Sequence, residues 1–375
     1  MSYVRLGDAA RFINGAAFKP SDWADDGLPI VRIQNLTGTG ETFNRTNRIV
    51  RAELIVEPGD LLVSWSATLD AYRWNGPRGV LNQHIFKVLP KDGVRADYLY
   101  YALREVISEL ERKTHGSTMK HVVRGDFEST RVPLPSLAEQ DRIVDLLSRA
   151  ENIVRMRREA EAKAKEIIPA LFRSSFGDIG SDSNSYPLLS LGEICDRITD
   201  GTHKTPKYVS AGIPFVTVKN ITSGSVDFTD TKFISREEHL ELVKRTAPRR
   251  GDVLVSKDGT IGVPCLVDTD REFSVFVSVA LLKLKTSLVD PEFLAAQIAT
   301  PWIQAQIKEG TKGAAIRHLH LKDFRSLRCI LPPITVQQKF ARRVKYVKQL
   351  HRSQLTTTKN AECIFQSLLA GVFQQ

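Results

Sequence analysis

Apolar residues in this chain form two long stripes, and one stripe is a copy of the other. From Leu137 to Phe176, apolar or small residues stand at Ile143, Leu146, Ala150, Ile153, Ala160, Ala164, Ile167 and Leu171, with charges of both signs between them. That is heptad spacing, the pattern of a helix with one face in a coiled-coil seam. The stretch is rich in Ala, Leu, Ile, Arg, Glu and Lys, all good helix formers, and has no glycine before Gly177. Ser136 followed by Glu139 reads as a capping box. Arg157 interrupts the stripe, and Pro169 predicts a kink or an early end. At about 1.5 Å per residue, such a helix is a rod of roughly 60 Å.

The second stripe runs from Thr335 to Phe373 through Phe340, Val347, Leu350, Ala361, Ile364 and Leu368. Pro135 and Pro332, Gln140 and Gln337, Ile167 and Ile364, Leu171 and Leu368, and Phe176 and Phe373 are each 197 positions apart. Neither helix can bury its stripe alone, so the two are predicted to pack on each other.

The block ahead of each helix also repeats. Gly27 to Leu36 reads as a turn and an apolar strand, and Gly212 to Ile221 matches it 185 positions later. Gly59 to Ser64 matches Gly251 to Ser256, 192 positions on. The repeated Gly-Asp of these segments is read as a turn. Asp97 to Arg112 has helical spacing, and Asp290-Pro291 opens its counterpart. Phe273 to Leu284 reads as a buried strand, too short to span a bilayer. Residues 65 to 82 have no clear copy in the second block, and Asp200 to Tyr208 has none in the first.

The predicted architecture is therefore α/β (α+β): two similar globular domains with two long antiparallel helices and a pseudo-twofold internal repeat. Its boundaries are 1–135 for the first domain, 136–177 for the first helix, 178–333 for the second domain and 334–375 for the second helix. Shared scaffold with divergent loops suits two binders of different targets.

Charge narrows the partner. The 375 residues carry a formal net charge of +10, which favours a polyanion. The four cysteines, Cys195, Cys265, Cys329 and Cys363, show no metal or disulfide spacing and read as reduced thiols. No secretion signal is visible, so the expectation is a cytoplasmic protein with no membrane partner. There is no phosphate-binding glycine loop, no HExxH and no nucleophile–base pattern. His318-Leu319-His320 lacks a third metal ligand. No cofactor or metal is expected, and the chain is read as non-catalytic.

DNA contact needs cations and amides for phosphates and base edges. Lys120-His121 and Arg317-His318 recur after polar loops, 197 positions apart. Arg73 and Trp74, with Trp65 and Tyr72, could form an aromatic-basic cluster, and Lys257 and Asp258 follow the second Gly-Asp strand and could reach DNA. Each has a plainer reading as loop or core.

Three stretches carry a family resemblance: Asp200-Gly201-Thr202-His203-Lys204-Thr205-Pro206, Gly212-Ile213-Pro214-Phe215 with Lys219-Asn220, and Gly251-Asp252-Val253-Leu254. The helix starts, Leu134-Pro135 with Glu139-Gln140 and Leu331-Pro332-Pro333 with Gln337, add to them. On the duplicated frame the whole chain resembles the specificity (S) subunit of type I restriction-modification systems. The resemblance implies two target-recognition domains, each reading half of a bipartite, asymmetric site in double-stranded DNA. It implies a prokaryotic protein whose helices set the half-site separation. The helices would dock two methyltransferase (M) subunits, with restriction (R) subunits able to join. It favours contact by His203, Lys204 and Lys207, and a partner-facing role for Arg155, Arg158, Lys348 and Arg352. The competing reading is a helical interaction scaffold of a related defence complex that does not read DNA.

Overall fold

In the first block, short aliphatic runs become strands that stop at glycine and aspartate turns. They are β1 (Ala10–Asn14), β2 (Leu28–Val31), β3 (Leu61–Ser64), β4 (Asp70–Arg73), β5 (Gly79–Leu81) and β6 (Ile85–Pro90). One sheet has the order β1-β6-β3-β4, antiparallel throughout. In a second sheet, β2 and β5 run parallel, flanked by Arg45–Thr46 and Ile55–Val56. Helix α1 (Ala96–Lys113) follows, and Arg131–Pro133 pairs with Tyr3–Arg5 to close the block. The computed structural model describes residues 2–40, 42–66, 68–113, 124–180, 185–310 and 318–374.

The first long helical stretch is broken. Helix α2 (Leu137–Ala164) ends ahead of Glu166, and α3 (Ile167–Phe176) starts there. Pro169 lies in the first turn of α3, where its missing N–H costs little, so the break falls about one turn before the proline. Gly177 ends α3 at φ 72°, a left-handed conformation that suits glycine.

The second block repeats the first. Its strands are β7 (Cys195–Asp200), β8 (Ile213–Val216), β9 (Lys232–Ile234), β10 (Val253–Ser256), β11 (Pro264–Leu266), β12 (Ser274–Val275) and β13 (Val279–Leu284). The order β7-β13-β10-β11 copies the first antiparallel sheet, and β8 runs parallel to β12 as β2 does to β5. Leu188–Ser190 pairs with Arg328–Ile330 as the terminal strands of the first block pair. Phe273 to Leu284 is thus two strands, because the chain turns at Phe276 to Ser278. The helix opened by Asp290 is also split, into α4 (Pro291–Ile298) and α5 (Pro301–Gly310), with Asp290 capping the first and Pro301 beginning the second. Helix α6 (Ile334–Phe373) closes the chain without interruption.

Register supplies the copies that are missing from the sequence comparison. Tyr72 lies opposite Leu62 as Cys265 lies opposite Leu254, so β4 and β11 are equivalent and residues 65 to 82 do have a counterpart. Asn14 lies opposite Phe86 and Asp200 opposite Ala280, and these two partners lie opposite Val63 and Val255. Asn14-Gly15-Ala16 is therefore the copy of Asp200-Gly201-Thr202. The bridges Ala16 to Asn82 and Thr202 to Phe276 agree.

Two compact units result: Met1–Arg158 with Thr356–Gln375, and Glu159–Leu355. Each holds one block, part of the first helical stretch and part of α6. In the first unit Ile143, Leu147 and Val154 share a core with Tyr98, Tyr101, Phe365, Leu369 and Phe373. In the second, Phe172 and Phe176 share one with Phe293, Phe340 and Val344. The buried face departs from the heptad reading. Leu146 and Ile153 are 42% and 51% exposed, while Leu147 and Val154 are 0% and 7%. On α6, Leu350 and Ile364 are exposed while Val344 and Leu369 are buried. These helices cover the aromatic faces of α1 and α4 as well as each other, so the 3.6-residue period of a globular core replaces a 3.5-residue seam.

The repeated glutamines explain themselves here. Gln140 and Gln337 are both 0% exposed. The Gln140 Oε1 accepts from the Arg95 N–H at 2.8 Å, and its amide donates to the carbonyls of Gly93 and Pro135 at 2.9 Å. Gln337 does the same with the Asp290 N–H and the carbonyls of Leu288 and Pro332. Each glutamine clips the start of a long helix to the loop ahead of α1 or α4. The Gly-Asp repeats are turns as expected: Gly59 and Gly251 have φ of 97° and 91°. Asp60 and Asp252 then accept from the Glu57 and Arg249 N–H groups.

Candidate nucleic-acid interface

At the end of β7 the chain must pass close to a neighbouring backbone. A Cβ on Gly201 would lie 2.0 Å from the Val275 carbonyl oxygen, so only glycine fits. This pins Asp200, 2% exposed, below the loop of His203, Lys204 and Lys207. Lys257 Nζ donates to Asp200 Oδ2 at 2.6 Å and Arg245 Nη2 to Oδ1 at 2.6 Å. His203 Nε2 lies 3.6 Å from Oδ1. The Thr246 hydroxyl fixes the Asp200 carbonyl at 2.6 Å. The next residue, Asp258, bridges to His318 through backbone and side chain, and the His318 and His320 rings lie 4.8 Å apart.

One buried carboxylate thus gathers an ammonium, a guanidinium and an imidazole. Asp258, directly after Lys257 beyond the end of β10, positions a further pair of imidazoles. Lys257 supplies buried charge balance, while Arg245 and His203, 53% and 60% exposed, face solvent. Such donors, on a frame that cannot relax, suit phosphate oxygens and the acceptor edges of bases.

The first unit has the same frame and different side chains. Gly15 approaches the Asn82 carbonyl as closely as Gly201 approaches that of Val275. Trp65 is the counterpart of Lys257: its N–H donates to the His84 carbonyl as that of Lys257 donates to Ser278. Its indole N–H donates to Asn14 Oδ1 at 3.3 Å, and its ring stacks on Phe86 at 5.8 Å. The Gln83 and His84 side chains meet at 3.2 Å beside it.

The structure therefore brings His203, Lys257, Asp258 and His318 together, and adds Asp200, Arg245 and His320. Lys204 and Lys207 are exposed on the loop, whose backbone is tied to Thr202 and Glu238. Lys120, His121 and Arg317 lie outside the described residues. Two candidates are corrected. Lys257 is 2% exposed and its ammonium is spent on Asp200, so it is a positioning group. Trp74 is 4% exposed, packs with Val31, Leu62 and Leu81, and donates to the Pro77 carbonyl, so it is core. Arg73 belongs to the helix seam: it pairs with Asp97 at 2.8 Å and Glu151 at 3.4 Å and lies 3.8 Å from the Tyr100 ring centroid.

On the helices, Arg158 pairs with Glu362, Lys348 with Glu292 and Arg352 with Asp268, each at 2.7 Å. Arg155 reaches Asn152. Arg245 and Asn14 lie in stretches without a motif: strand register reveals Asn14, and the contact with Asp200 reveals Arg245. Among the described residues no group of His, Cys, Asp and Glu is placed to hold a metal ion, and no helix is long and apolar enough to cross a membrane.

Comparison with known proteins agrees with the duplicated frame. The type I restriction modification DNA specificity domain matches residues 1–165 and again 186–363. The chain is 25% identical to the type I restriction enzyme EcoBI specificity subunit of Escherichia coli, over 99% of this chain and 85% of that protein. It is 24% identical to the MjaVIII specificity subunit of Methanocaldococcus jannaschii, over 92% and 86%. A chain from structural work on assembly and conformational transition of the type I R-M system has the same fold (TM-score 0.61, 18% identity, 99% and 97% covered). So does the S subunit crystal structure from M. genitalium (TM-score 0.55, 14% identity, 99% and 96% covered). With two domain matches spanning most of its length, the chain belongs to the type I restriction-modification DNA specificity family.

Proposed function

We propose that this chain is the sequence-reading subunit of a type I restriction-modification complex, that it reads one half of a bipartite DNA site with each unit, and that the site is asymmetric. One observation carries this reading. The same glycine-pinned position presents Asp200, Lys257, Arg245 and His203 in one unit and Asn14, Trp65 and His84 in the other. A common scaffold that displays different donors is what two different half-sites require.

In this reading the two long helices pair antiparallel along their length and fix the half-site separation. They dock two methyltransferase subunits, and restriction subunits can join. The chain itself performs no chemistry: methyl transfer and cleavage belong to its partners. Residues 1–135 and 178–333 are the target-recognition domains, and 136–177 and 334–375 the spacers.

The test is a methylome. The chain is co-expressed with its methyltransferase in a host free of adenine methylation, and modified positions are mapped. A gapped, asymmetric motif that depends on this chain is expected, and exchange of one block should change one half of it. An active, soluble methyltransferase that yields no chain-dependent motif would leave the scaffold reading in place.

A further inference from the structure

Each unit exposes one aromatic ring at the same place in the duplicated frame. Ala24 bridges to Arg45 as Val209 pairs with Phe233, and Pro29 and Pro214 lie opposite the same two residues. Trp23 and Tyr208, one residue earlier, are therefore equivalent. They are 42% and 40% exposed, although aromatic rings of this size are mostly buried. Each lies beside a cation: the Arg32 guanidinium is 4.9 Å from the Trp23 ring centroid, and Lys232 Nζ is 4.2 Å from that of Tyr208.

The cations do not descend from one ancestral position. Arg32 follows β2, whereas Lys232 lies in β9, the strand that pairs directly with the one carrying Tyr208. An exposed aromatic with a cation across it was thus kept while the residue supplying the cation changed. Folding does not require this, because neither ring fills a core.

Both pairs lie next to the glycine-pinned positions. Val31, which precedes Arg32, accepts from the N–H of Asn82, the residue that Gly15 packs on. Tyr208 contacts Phe215 at 6.0 Å and Phe215 contacts Phe276 at 6.1 Å, and Phe276 bridges to Thr202, two residues from Asp200.

We infer that Trp23 with Arg32, and Tyr208 with Lys232, form one matched backbone-contact point per unit. The ring lies against a deoxyribose and the cation against the adjoining phosphate of duplex DNA. This rests on the DNA-reading role proposed above and adds a division of labour. These pairs set the position of each unit on the duplex, and the glycine-pinned groups read bases.

The experiment uses the full chain assembled with its methyltransferase, and duplexes with the motif intact or with one half scrambled. Trp23→Ala and Tyr208→Ala should each weaken binding on the order of tenfold, equally for both duplexes. Trp23→Phe and Tyr208→Phe should keep most of the affinity. Arg32→Gln and Lys232→Gln should each flatten the slope of log affinity against log salt by about 0.9. The methylated motif should stay the same in every variant. Ile49→Ala, at an apolar position 97% exposed, should change nothing. Wild-type affinity and salt slope in all four ring and cation variants would overturn the inference while the DNA-reading role stands. So would loss of methyltransferase assembly, which would mark the rings as a protein contact. A wild-type complex that binds no duplex would overturn both.

Discussion

Lys257 donates to Asp200 at 2.6 Å with both side chains 3% exposed, at the positions where the first unit has Trp65 and Asn14. One unit meets the same geometry with a buried ion pair and the other with a neutral indole–amide contact. Removal of one partner from a buried pair leaves the other charge uncompensated and costs about 3–5 kcal/mol. Lys257→Met should therefore destabilise the second unit by about 3 kcal/mol, toward the low end because Arg245 also reaches Asp200. Adding Asp200→Asn should recover part of the loss. Urea unfolding of the single and double variants measures this, and a double variant at least as unstable as the sum of the singles contradicts it.

Gln140 and Gln337 each satisfy three backbone groups. Either glutamine replaced by alanine leaves buried polar groups unpaired, at about 1–3 kcal/mol. The two sites share no partner and lie in different units, so their costs should add within about 0.5 kcal/mol. Glutamate in the same place accepts but cannot donate to the two carbonyls, and should be no better than alanine. Thermal melts of the four chains test the additivity.

Much of this was legible in the sequence. The duplicated frame, α1, the Gly-Asp turns and the long helix α6 follow from spacing and turn chemistry, whereas the first long helix is divided into α2 and α3. The buried helix face was misplaced by one residue, because a heptad reading assumes a helix partner alone. Leu147 and Val154 pack beside Tyr98 and Tyr101 instead. Candidate contacts suffered for a related reason. Trp74 and Lys257 look exposed in one dimension, and only the pairing of strands reveals what lies across from them. The copy of Asp200 was hidden because Asn14-Gly15-Ala16 keeps only its glycine, the one residue that backbone clearance dictates.

Cys195 and Cys265 are buried thiols, and burial pushes each up to about 12 from 9.0, with Asp196 and Asp268 adding to the shift. The folded thiols hold protons that unfolded thiols release. Their contribution to stability is full below about 9 and is lost as pH rises toward about 12. By about pH 10 each should have lost about 1 kcal/mol. A Cys195→Ala, Cys265→Ala variant starts from a lower stability but should show a shallower decline between about pH 8 and about pH 10. Equal declines in the two proteins would contradict the assignment. Cys363, exposed, should be the thiol labelled most readily in the native chain.

The two helix seams predict unequal tolerance to substitution. In the first unit Glu151 accepts from Arg104 at 2.6 Å, Tyr101 at 3.0 Å, Tyr100 at 3.1 Å and Arg73 at 3.4 Å. In the second, the Gln140–Gln337 and Arg95–Asp290 equivalences place Lys348 at the position of Glu151, and Ala295 and Ala296 at those of Tyr100 and Tyr101. Leu266 replaces Arg73. The missing volume remains open: cavities of about 460 and 330 Å³ are lined by Leu266, Glu292 and Lys348, the second also by Ile168. Ile168 takes the place of Phe365, which in the first unit packs on Tyr101 at 6.4 Å. Glu151→Ala strips two guanidinium groups and two phenols of their acceptor at a site 29% exposed, and should cost about 2 kcal/mol. Lys348 donates to Glu292, which is 7% exposed, so Lys348→Ala by itself would strand a buried carboxylate; the Lys348→Ala, Glu292→Gln double variant leaves no charge unpaired there and should cost under about 1 kcal/mol. Denaturant midpoints of the two variants decide the matter. Equal losses would mean that the open seam is held by something other than the contacts of Lys348.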